Sequence, residues 1–107
     1  MTKKYCQLWL TCTDEKEAAK ITDTLLAAQL VACVHQLPVN SSFCWQSKIK
    51  KSDEVLLVME SRQDLFTEVE HEVSKLHSYD TFVLKSVPID DISKKAEGWL
   101  KKELKNA

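Results

Sequence analysis

The side chains with ligand chemistry in this 107-residue chain are four cysteines and three histidines, and their spacing limits what they can do. Cys6, Cys12, Cys33 and Cys44 contain no CxxC pair, so a zinc knuckle is not expected. In a reducing compartment each acts by default as a small buried hydrophobe. Catalytic patterns are missing as well: there is no GxSxG, no HExxH, and no nucleophile and base at a recognised spacing. The neighbouring acids Asp53–Glu54 and Asp90–Asp91 suit a hairpin and a helix cap. The expectation is a protein that is not an enzyme. Gly98 is the only glycine, which excludes phosphate loops built on spaced glycines. Fifteen basic against sixteen acidic residues leave a net charge of -1, without the basic footprint of a nucleic-acid binder.

Any site must therefore be assembled by the fold. The length and an apolar content of 44% suit one compact domain, residues 1–107. No window reaches the roughly 18 apolar residues of a membrane span. The apolar run Tyr5 to Cys12 is too short and polar for a leader, and reads as a strand of a cytoplasmic protein. Thr13 is expected to cap a helix whose apolar face is Ala18, Ile21, Leu25 and Ala28. Val31 to Trp45 is extended, with an interruption at Pro38, and the polar Lys48 to Asp53 suits a hairpin tip. Glu54 to Glu60 reads as a buried strand.

Ser61-Arg62-Gln63-Asp64 resembles a capping box opening a second helix, with Leu65, Phe66, Val69, Val73 and Leu76 on its apolar face. Phe82 to Ile89 reads as a fourth strand. Asp90 or Asp91 then caps a last helix that turns Ile92, Ala96, Trp99 and Leu100 inward. Lysines 94, 95, 101, 102 and 105, balanced by Glu97 and Glu103, form its solvated face.

This order is α+β: a ferredoxin-like βαββαβ sandwich with an extra C-terminal helix. In that topology the second and fourth strands lie at the edges, where Pro38 and Pro88 are tolerated. It also brings the end of strand one (Cys12), the hairpin (Trp45 to Lys51) and the His77 to Asp80 segment to one end of the sheet. The edge strands are long and apolar, carrying Val31, Val34, Leu37, Val39 and Phe43 in one and Phe82, Val83, Leu84, Val87 and Ile89 in the other. Such edges predict a homo-oligomer formed by strand pairing.

Several segments are similar to the CutA divalent-cation-tolerance family. They are LTCTDEKEAAKI at the end of strand one, the Ala32-Cys33 pair followed by Pro38, an aromatic segment with W-x-x-K-I at Trp45 to Ile49, and Leu-His-x-Tyr-acid at Leu76 to Asp80. GWLK closes the last helix. The resemblance implies a homotrimer joined through its edge strands, similar to the trimeric PII signalling proteins, with copper or another divalent cation as the implied ligand. It matches Cys12 and His77 to the family's candidate ligands. The chain departs from the usual His-Pro-Tyr-x-x-Pro-Glu at Ser78, Phe82 and Val83, and has Leu76 where some members carry a second histidine.

Thiolate and imidazole both suit Cu or Zn. Cys12 and His77 do not complete a tetrahedral site, so Asp80 or a neighbouring subunit would have to contribute. The alternative is a buried thiol beside a solvated histidine. Cys33 and Cys44 are expected to pack, and His35 and His71 to be structural or solvated. Tyr79, Trp45 and Lys48 are candidates for lining a cleft at the subunit boundary, where a small molecule or protein partner would bind.

Overall fold

A computed structural model of the chain describes residues 4–106. The elements run β1 (Tyr5–Cys12), α1 (Glu15–Ala27), β2 (Cys33–Trp45), β3 (Lys48–Arg62), a 3-10 turn (Gln63–Leu65), α2 (Phe66–Leu76), β4 (Leu84–Pro88) and α3 (Lys94–Glu103). The four strands form one antiparallel sheet in the order β2-β3-β1-β4. This is the ferredoxin-like arrangement that the element order predicts, with both prolines on edge strands.

Alternation along β1 turns Cys6, Leu8, Leu10 and Cys12 toward the helices, where all four are fully buried. Leu57 and Met59 of β3 lie on the same side. Ala18, Ile21 and Leu25 of α1 and Val69 and Val73 of α2 close over them. The 3.6-residue period puts those helical residues on single stripes, and the sheet receives them.

Several local expectations are corrected. The cap of α1 is Asp14, whose side chain accepts the Glu17 amide, and not Thr13. Ser61 opens no capping box: it lies buried in β3, and its hydroxyl donates to the Leu30 carbonyl at 2.7 Å. Lys48 to Asp53 is strand, and the tip is Gln46-Ser47. Trp45 faces Lys48 across a two-residue turn, with both turn residues at positive φ, 51° and 64°. Pro38 does not interrupt β2, since it sits in register opposite Val55. The cap position of α3 is Ser93, neither Asp90 nor Asp91, and Trp99 is exposed while Leu100 is buried. β4 is shorter than Phe82 to Ile89.

Candidate metal centre at the end of the first strand

Cys12 is the last residue of β1, and its even position sends the thiol into the core. One turn into α1, Glu17 folds back over the same strand end. Its Oε2 accepts the Thr13 amide at 2.8 Å and the Thr13 hydroxyl at 3.1 Å. His77 follows α2, where its amide donates to the Val73 carbonyl and the chain turns extended. Its ring returns to β1 and stacks on Phe82, with ring centroids 5.3 Å apart. One donor atom from each of Cys12, Glu17 and His77 falls within 4.8 Å of the others.

Hydrogen bonds define the state of this cluster. The Tyr79 amide donates to Nδ1 of His77 at 3.0 Å, so that nitrogen carries no hydrogen. Nε2 therefore holds the proton and donates to the Thr11 carbonyl at 2.8 Å. Oε1 of Glu17 accepts the Ser78 amide at 2.6 Å, and its Oε2 lies 3.6 Å from His77 Nε2. Burial raises the Glu17 carboxyl, but bonds from Thr13 and Ser78, with His77 nearby, outweigh it and leave the group below its ordinary range. The Cys12 thiol is pushed up to about 12, first by burial and then by the charges of Glu17, Asp14 and Glu54.

The donor set of sulfur, nitrogen and oxygen fits a thiophilic divalent cation. Occupancy would require release of the Cys12 proton and surrender of one hydrogen bond at His77, so uptake is coupled to protons.

Cys12 and His77 thus meet as the topology predicts. Asp80 is exposed and is not in this group. Glu17 is the member that the sequence reading missed, and its signal was the Asp14-x-x-Glu17 spacing of a capping box. Trp45 and Lys48 do not join Tyr79 within one chain. Val55 is opposite Cys12, and Lys48 stands seven residues further, roughly 23 Å along the strand. Tyr79 instead donates its hydroxyl to Glu54 at 3.2 Å. Cys44, expected to pack, is exposed, whereas Cys33 is half-buried; His35 and His71 are exposed.

A family model described as CutA1 divalent ion tolerance protein matches residues 6–103. The chain belongs to that family. The divalent-cation tolerance protein CutA of Archaeoglobus fulgidus is 33% identical over 93 residues, covering 87% of this chain and 91% of the relative. CutA of Pyrococcus horikoshii is 30% identical over 98 residues, covering 92% and 96%. A solved structure, described as the periplasmic divalent cation tolerance protein CutA from Archaeoglobus fulgidus, superposes with a TM-score of 0.92. It is 31% identical, and the match covers 94% of this chain and 99% of that one. The candidate centre lies wholly within the span matched to the family, and among the described residues no helix is long and apolar enough to cross a membrane.

Proposed function

We propose that the chain serves the divalent-cation response of its family as a non-catalytic homotrimer that takes up copper or another divalent cation weakly. The observation that carries this reading is the approach of Cys12, Glu17 and His77 donor atoms to within 4.8 Å. Weak uptake follows from the protonated thiol and the satisfied imidazole, each of which must give up a partner. A thiol held near 12 is also a poor nucleophile, which favours binding over catalysis at a Cys–His pair. Four free cysteines suit a reducing cytoplasm.

The test is calorimetric titration of the reduced protein with Zn²⁺ and Cu²⁺, beside Cys12→Ala and His77→Ala. Both variants are expected to bind about tenfold or more weakly, and wild-type uptake should release protons. Unchanged binding in both variants overturns the site. A second reading, a small-molecule or protein partner held at a subunit boundary, is supported by Tyr79, whose ring is partly exposed while its hydroxyl sits on Glu54. Retention of a non-metal ligand at Tyr79 by a protein unresponsive to metal would favour it.

A further inference from the structure

A second pair of ligand atoms lies at the other end of the sheet, beyond the centre proposed above. Cys33 opens β2 and His35 follows two residues later. Alternation puts both on the sheet face opposite the buried Cys6, Leu8, Leu10 and Cys12. Cys33 Sγ and His35 Nε2 are 3.6 Å apart. A tetrahedral zinc with ordinary Zn–S and Zn–N bonds would hold such atoms about 3.5–3.6 Å apart, so the pair already has the bite of a chelate. Glu60 stands opposite Cys33 in register, and the side-chain amide of Gln7 donates to its Oε2 at 3.4 Å. Within one chain His35 is exposed and Cys33 half-buried, and both lie outside the core.

We propose that Cys33 and His35 form a second, surface site for a thiophilic divalent cation, a two-residue chelate with water filling the remaining positions and the Glu60 carboxylate, engaged by Gln7, outside its ligand set. Sγ and Nε2 bind directly, and the thiol proton leaves to solvent as the S–metal bond forms. Nothing is oxidised or reduced. Protons compete with the cation for the thiolate, so binding weakens in acid. The two centres differ in access: at this one the imidazole faces solvent, whereas His77 has both ring nitrogens engaged.

The experiment is titration of the intact reduced protein with Co²⁺, followed by thiolate-to-cobalt absorption, with Zn²⁺ as competitor. Cys33→Ser is expected to bind one thiolate-bound cobalt fewer per chain. His35→Asn, at an exposed position that leaves the core untouched, should bind Zn²⁺ at that site about tenfold or more weakly, the scale on which even outer-shell partners act. Absorption that survives Cys12→Ala and falls in Cys33→Ser supports this site whatever becomes of the first. Absorption lost entirely in Cys12→Ala and unchanged in Cys33→Ser and His35→Asn overturns it and leaves the first standing. Absence of thiolate-to-cobalt absorption in the unaltered protein overturns it as well.

Discussion

Glu17 ties three segments together: its carboxylate accepts from Thr13 and Ser78 and lies beside His77. Hydrogen bonds to an ionised group contribute about 1.5–3 kcal/mol each, and this one is nearly buried, so solvent screens it little. Glu17→Gln is expected to lose about 1–3 kcal/mol in urea unfolding at neutral pH. The Glu17 carboxyl sits below its ordinary value of 4.5 in the folded protein, so its stabilisation is present above that value. It is lost as acid protonates the group at its lower folded value, and Glu17→Gln should lack that part of the acid loss. Equal acid slopes in the two proteins would contradict it. Cys12 carries the opposite sign, because its thiol rises from 9.0 to about 12. Stability should be insensitive to it below pH 9 and fall as pH climbs toward 12, with Cys12→Ala flattening that limb. The nearness of Cys12 and His77 was legible in the sequence because the topology brings their segments together, and their candidacy as ligands came from the family resemblance. Glu17 was not, because its direction depends on the bend at Thr13-Asp14, which the sequence marks only by a cap spacing.

At the scale of elements, this glycine-poor chain turns two corners with residues that strain to do so. Gln29, Gln46 and Ser47 all hold positive φ, at 58°, 51° and 64°. A two-residue turn with both centres at positive φ is the hairpin form that favours Asn-Gly or Gly-Gly. Ser47→Gly is therefore expected to stabilise the β2–β3 hairpin by about 1 kcal/mol, since glycine meets no Cβ clash there. Gly98, in contrast, sits inside α3, where a Cβ would meet nothing within 4 Å. Gly98→Ala should add about 0.5–1 kcal/mol through helix propensity. Thermal unfolding of both single variants checks the pair, and a lowered midpoint in either removes the corresponding argument. Element order and edge prolines were readable because hydrophobic period and proline placement are local. The tip was not: Lys48 to Asp53 is polar apart from Ile49 because β3 there has left β1 behind, and a strand with no core contact looks like a loop.

On the scale of the whole molecule, that uncovered stretch shapes the chain. β2 and β3 remain paired out to Trp45 and Lys48, while β1 covers β3 only from Val55 to Arg62. The chain spans 44 × 25 × 22 Å with a radius of gyration of 14.5 Å, against about 13 Å for a compact domain of this length. A long bare two-stranded arm is marginal on its own in water. This one also exposes Ile49 at 78% and Trp45 at 43%, while Val83, beside the short edge strand β4, is 56% exposed. In the homotrimer proposed above, arm and edge strand would supply two unlike surfaces, each arm lying on the next chain. Light scattering at micromolar concentration should then give about three times the 12.3 kDa chain mass. Ile49→Lys combined with Val83→Lys should shift the population toward smaller species without loss of the β-sheet signal, because both side chains lie outside the core. A 12.3 kDa particle for the unaltered chain would refute the assembly and leave the exposed arm without a covering surface.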